Sequence, residues 1–65
     1  GRFFRFGAVG SPDIFAVQNG KVYGIEVKAA SGKLSDMQKD WGDRFSQSGG
    51  VYIVARSIDD IAPIL

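Results

Sequence analysis

The sequence predicts a small mixed α/β domain whose elements run strand, strand, strand, helix, strand, helix. Three observations carry that reading. Asn19-Gly20 separates two segments of strand character, Asp13–Gln18 and Lys21–Ala29. It is the strongest short hairpin signal, because a type I′ turn needs positive φ at both central residues. Ser35-Asp36-Met37-Gln38 matches a capping box with an acid in the positive first turn, so a helix opens there. Val51–Ala55 (Val-Tyr-Ile-Val-Ala) follows Gly49-Gly50 and reads as a short strand, apolar enough for a central place in a sheet.

The remaining elements fall into place around these. Arg2–Phe6 alternates weakly and is rich in Phe, which suggests a first strand with its phenyl rings on opposite faces. Gly7–Pro12 carries two Gly and a Pro and reads as a loop. In the helix, Met37, Trp41 and Phe45 recur at four-residue spacing as one apolar stripe of core anchors, and Gly49-Gly50 ends it. Ser57 can cap a final short helix with Ile58, Ile61 and Leu65 facing inward, Asp59 and Asp60 as its N-terminal acids, and Pro63 shortening it. The helix between the third and fourth strands is long enough to be a crossover.

Composition limits the chemistry. The chain has 65 residues, so one domain at most, with a marginal core. There is no Cys and no His, which excludes disulfides, Cys/His zinc sites, serine triads and Cys–His nucleophiles. Catalysis must rest on carboxylates, lysines or an oxygen-ligated metal. The net charge is only +1, so contact with nucleic acid would come from a local patch. No apolar run approaches a membrane span. No targeting segment is visible, and the default expectation is the cytoplasm of a bacterial or phage-infected cell. The chain opens on Gly1 with no initiator Met, which fits a fragment or a processed product.

The hairpin fixes a register, and the register makes a site. With Asn19-Gly20 as the turn, Gln18 opposes Lys21, Val17 opposes Val22, Phe15 opposes Gly24, and Asp13 opposes Glu26. Side chains alternate, so Asp13, Phe15 and Val17 share a face with Val22, Gly24, Glu26 and Lys28, while Tyr23, Ile25 and Val27 point to the other face, the expected core. Two carboxylates thus stand opposite one another, with Cβ atoms about 5 Å apart. Their repulsion calls for an offsetting cation, and Mg²⁺ typically takes one or two carboxylates with water and phosphate. Lys28, at the open end of the same face, is placed to hold a phosphate or orient a water. Together these groups suit metal-assisted phosphodiester hydrolysis. Glu-x-Lys alone is weak and common as a solvated pair. Its alignment with Ser11-Pro12-Asp13 in an apolar frame gives it weight.

These residues resemble a known group. Pro12-Asp13 followed by Glu26-Val27-Lys28 is similar to the bipartite signature of PD-(D/E)xK nucleases. With Gly10-Ser11-Pro12-Asp13, Gly32-Lys33-Leu34-Ser35-Asp36-Met37-Gln38 and Gly49–Val54 it resembles the VRR-NUC branch, over roughly residues 1–60. The resemblance implies a minimal restriction-endonuclease-like core lacking the family's N-terminal helix. It also implies a DNA endonuclease for branched or Holliday-junction DNA, working as a homodimer. Mg²⁺ or Mn²⁺ would be held by Asp13, Glu26 and the Val27 carbonyl. Lys28 would activate water and Gln38 would sit over the site. Gln38 is otherwise a helix cap, and one side chain is not expected to do both. Arg2, Arg5 and Lys33 are the best candidates for DNA phosphates, ahead of Lys21, Lys39 and Arg44, and Ser11 stands between a site role and a turn role. The alternative function is a catalytically inactive DNA-binding or dimerisation module on the same core. Apart from the resemblance, so minimal a core is expected to cover apolar surface by dimerising, with exchange of an element between chains as one route.

Overall fold

A computed structural model describes residues 2–4, as backbone, and 10–64. Arg5, Phe6 and Leu65, and the side chains of Arg2, Phe3 and Phe4, lie outside the described residues. The elements are β1 (Arg2–Phe4), β2 (Ile14–Gln18), β3 (Lys21–Val27), α1 (Asp36–Gln47), β4 (Val51–Ala55) and two 3-10 turns, Ile58–Asp60 and Ala62–Ile64.

The turn forms as its chemistry dictates. Asn19 has φ 52° and Gly20 has φ 79°, the type I′ signature. The register follows, from Gln18 opposite Lys21 outward to Ile14 opposite Ile25. The sheet order is β1-β2-β3-β4, with β1 and β2 antiparallel to their neighbours and β4 parallel to β3 after the α1 crossover. β4 is therefore an edge strand of the described sheet, not a central one. Its apolar character comes from burial on both faces.

Alternation gives the sheet two packed faces. On one, Phe15 meets the edges of Trp41 and Phe45 at centroid distances of 5.6 and 5.9 Å, and those two rings stack at 4.9 Å. Gly24 makes this approach possible, since a Cβ there would lie 2.8 Å from Pro12 Cγ and 3.2 Å from Phe45 Cε2. Gly42 does the same for the helix, lying against the Tyr52 ring with room for no Cβ. On the other face Ala16, Ile25 and Ala55 pack with Ile64, flanked by Ile14, Tyr23, Ile53 and Ile61.

Several expectations need correction. β3 ends at Val27 rather than Ala29, because Ala29 O accepts from Gly32 N and closes a turn. Asp13 lies just before β2, not in it. The last helix is two 3-10 turns, held by bonds such as Ile61 N to Ile58 O and Ile64 N to Ile61 O. Pro63 has no N–H for an α-helical bond and disfavours the α conformation at Ala62, and the segment is too short to nucleate otherwise. Ile64 is its buried anchor, while Ile58 is 64% exposed. Val27 is 54% exposed rather than core, since β2 ends before reaching it. Met37 is 57% exposed, because four-residue spacing drifts round a helix and leaves it about 80° from Phe45.

Candidate active site

The hairpin's open end positions the carboxylates. In a two-residue hairpin the hydrogen-bonded pairs alternate, so after Ile14–Ile25 the next would be Pro12–Val27. Pro12 has no N–H, and β2 has already ended. The Val27 N–H donates instead to Asp13 Oδ2 at 2.8 Å, which ties the Asp13 carboxylate to the end of β3. Opposite Asp13 stands Glu26, only 3% exposed.

Glu26 is held unevenly. Its Oε2 accepts from Gln38 Nε2 at 3.0 Å and lies 3.9 Å from Lys28 Nζ, an ion pair too long for a hydrogen bond. Its Oε1 is buried and has no partner among the described residues. Burial pushes the Glu26 carboxyl above its ordinary value, the Asp13 charge adds to this, and Lys28 opposes it. The two carboxyls are near enough for a shared proton to bridge them, which raises it further. When both are ionised neither can donate, and Oε1 is left bare.

Gln38 enters from the first turn of α1 and does what a single side chain was not expected to do. Its Oε1 accepts from Ser35 N at 2.9 Å, its backbone N–H donates to Ser35 Oγ at 3.1 Å, and its Nε2 reaches Glu26. An amide has an acceptor and a donor on different atoms, so cap and site contact coexist. The orientation is unambiguous because Ser35 N is a donor and the carboxylate an acceptor.

The structure thus brings together Asp13, Glu26, Lys28 and Gln38. Ser11 lies half-buried next to Pro12, and Lys33 is exposed on the loop between β3 and α1. Lys21 and Lys39 are exposed, and Arg44 pairs with Asp40 at 2.9 Å on the outer helix face. Arg2 contributes backbone to β1 opposite Val17, and Arg5 lies outside the described residues.

Two residues escaped the sequence reading. Tyr52 has a buried hydroxyl with no partner among the described residues, and burial together with Glu26 and Asp13 raises its pKa. Arg56 spans to the loop after Lys28: its Nη1 donates to Ala29 O at 2.8 Å, Gly32 O at 2.6 Å and, more weakly, Ala30 O at 3.3 Å. Both are placed by the parallel pairing of β3 with β4, which sets Tyr52 beside Gly24 and Ala55 beside Val27 and which no local sequence pattern signals.

Among the described residues no three His, Cys, Asp or Glu side chains cluster as a metal site. The donor set is two carboxylates. That is a set Mg²⁺ accepts when main-chain oxygen, water or phosphate completes it. The bare, buried Glu26 Oε1 fits such a role.

The run β2–β3–α1–β4 fits a PD-(D/E)xK-like core. A family model for the VRR-NUC domain matches residues 2–59, and the chain belongs to that family. Its function is therefore of the nuclease type, with DNA as the implied substrate, and domains of this kind generally use divalent metals. No curated protein and no solved structure matches the chain. Among the described residues no helix is long and apolar enough to cross a membrane.

Proposed function

We propose that the domain is an endonuclease that hydrolyses DNA phosphodiester bonds with Mg²⁺ or Mn²⁺, held by Asp13, Glu26 and the main-chain carbonyl of Val27. The observation that carries this is Glu26 Oε1, a buried carboxylate oxygen with no partner among the described residues, facing a second carboxylate. Two acids brought together in a small domain destabilise it unless a cation neutralises them. When bound, the metal would supply charge that acidifies a water and neutralises the phosphate.

The chain's own groups have separable tasks. The Val27 N–H orients Asp13 through Oδ2. Gln38 Nε2 fixes the plane of the Glu26 carboxylate through Oε2 and so determines where Oε1 points. Lys28, with its side chain 21% exposed, sits between buried Glu26 and solvent. From there its ammonium donates hydrogen bonds to the attacking water or to a non-bridging phosphate oxygen. Exposed Lys33, with Ser11, Arg2 and Arg5, would contact the DNA backbone. Such contacts add salt-dependent affinity without reading sequence.

Branched DNA, four-way junctions included, is the substrate we propose, working through a homodimer. Both rest on the family resemblance. The test is cleavage of a four-way junction and of a matched linear duplex, with Mg²⁺ or Mn²⁺ and with EDTA, by wild type and Asp13→Asn. We expect metal-dependent cutting and a loss of at least about 100-fold in the variant, since outer-shell changes alone cost 10–100-fold at metal sites. Equal cutting by both proteins would overturn the assignment. Junction binding without Mn²⁺ binding would favour the inactive DNA-binding module, and sedimentation as a monomer at micromolar concentration would remove the dimer.

A further inference from the structure

We propose that Arg56 is a positioning residue for the nuclease reaction, holding the loop that places Lys28 on one side and the Ser35–Gln38 cap on the other. The proposal rests on the metal-dependent nuclease reading above.

Residues 28–35 must turn the chain from the end of β3 to the start of α1, and both ends of this loop carry site residues. At the first end, Lys28 N donates to Ala55 O at 3.0 Å, one rung beyond the last residue of β3. A tight turn follows, closed by Gly32 N to Ala29 O at 3.0 Å. Among the described residues no other backbone hydrogen bond ties this turn to the sheet. Arg56, the next residue after Ala55, does so from outside. Its Nη1 gathers the Ala29, Ala30 and Gly32 carbonyls at 2.8, 3.3 and 2.6 Å. That nitrogen has two hydrogens, so the two short bonds are full ones and the longest is shared.

The arginine is itself anchored. Asp60 Oδ2 accepts from Arg56 N at 2.7 Å and from Ser57 N at 3.2 Å, which fixes the backbone from which the guanidinium projects. The chain of contacts runs from Asp60 through Arg56 to the turn, and from the turn to Lys28 in one direction and to Ser35 and Gln38 in the other. Lys28 and Gln38 both end at Glu26 Oε2. A charge-assisted donor to main-chain carbonyls is stronger than a neutral one, and it ties the loop at its midpoint. Misplacing a reacting group by about 1 Å can cost 10²-fold in rate. Loss of the tie therefore reaches the reaction although Arg56 touches neither carboxylate.

One nitrogen meeting several carbonyls is also what an ammonium does, so Arg56→Lys should retain much of the effect while Arg56→Ala loses it. The experiment compares wild type, Arg56→Lys, Arg56→Ala, Lys28→Ala and the Lys28→Ala/Arg56→Ala double variant. Steady-state cleavage of a four-way junction with Mn²⁺ is measured alongside amide hydrogen exchange and thermal melting. Arg56→Ala should lower kcat by about tenfold or more with KM nearly unchanged, Arg56→Lys should recover most of it, and the double variant should be little worse than Lys28→Ala alone. Exchange at Gly32 N–H should accelerate in Arg56→Ala relative to Ile25 N–H, which reports the sheet and normalises for any loss of global stability.

A cleaving wild type matched in kcat by Arg56→Ala overturns the proposal and leaves the nuclease reading standing. So does a change confined to KM with a shallower salt dependence, which is the mark of a direct phosphate contact. Gly32 exchange that tracks Ile25 overturns it as well. A wild type that cuts no DNA under any metal overturns the nuclease reading first, and this proposal with it.

Discussion

Replacing Glu26 with Gln is expected to stabilise the metal-free domain at neutral pH by about 1–2 kcal/mol, against the usual cost of altering a buried residue. Glu26 is 3% exposed, and one of its oxygens has no partner among the described residues. An unsatisfied buried polar atom costs about 1–3 kcal/mol, more when charged. Gln keeps an oxygen to accept from Gln38 Nε2 and turns an amide NH₂ toward Asp13, so a repulsive pair becomes a hydrogen-bonded one. The loss is the attraction of Lys28 at 3.9 Å, part-solvated and worth about 1 kcal/mol or less. Burial and Asp13 together outweigh Lys28 in raising the Glu26 pKa, so the neutral form is the one the fold favours.

That pKa is higher in the folded than in the unfolded chain, so folding takes up a proton. The stabilisation from protonated Glu26 is complete below the ordinary value of 4.5 and is lost as pH rises through the higher folded value. The advantage of Glu26→Gln should therefore open across that window and vanish on its acid side. Thermal unfolding by circular dichroism in EDTA reads it directly, at about 4–8 °C in Tm per kcal/mol for a domain of this size. Mn²⁺ should reverse the order, since a ligand at 100 times its Kd stabilises the wild type by about 2.7 kcal/mol and has no complete site in the variant. A variant that melts below wild type in EDTA at neutral pH would refute the reasoning, as would one whose gain persists unchanged below the carboxylate range.

Gly24→Ala should cost about 1–3 kcal/mol in urea unfolding, because the new Cβ falls 2.8 Å from Cγ of the fully buried Pro12 and 3.2 Å from Phe45 Cε2. Tyr52→Phe should leave stability unchanged or raise it by up to about 1 kcal/mol, since the hydroxyl it removes is buried without a partner among the described residues. A lower Tm for the variant in a thermal melt would show that the hydroxyl has a partner in solution.

Where the sequence was informative, a local rule with a single solution lay behind it. Asn19-Gly20 admits one tight turn, the turn admits one register, and the register alone set Asp13 across from Glu26. Ser35 and Gln38 announced the helix start in the same local way. The misses have a common physical origin in long-range or competing terms. Arg56 matters only because β4 pairs in parallel with β3, a contact no local pattern encodes. Val27 follows the alternation that buries Ile25, and yet it is exposed because β2 stops short of it. The terminal segment has the apolar spacing of a helix, but Pro63 removes the bond that would make it one. The neighbours of Asp13 predict a strand there, whereas its side chain replaces the ladder bond that Pro12 cannot complete.

Gln38 shows why the helix cap and the catalytic chemistry are one construction. A capping box requires a Glu or Gln at the third helical position, and either satisfies the Ser35 N–H. Only the amide has, on its second atom, a donor to offer. Glu there would cap as well and would bring a third carboxylate against Glu26, which already carries the Asp13 charge and a bare oxygen. The choice of Gln therefore links the start of α1 to the orientation of Glu26 without adding charge. The same economy governs Asp13, where one carboxylate oxygen completes a sheet and the other takes no part in that bond. In a chain with so small a core, site residues that also close backbone hydrogen bonds are held in place by the folding of the elements they terminate. Among the described residues Glu26 Oε1 is the carboxylate oxygen left outside this scheme, and there a cation has most to offer.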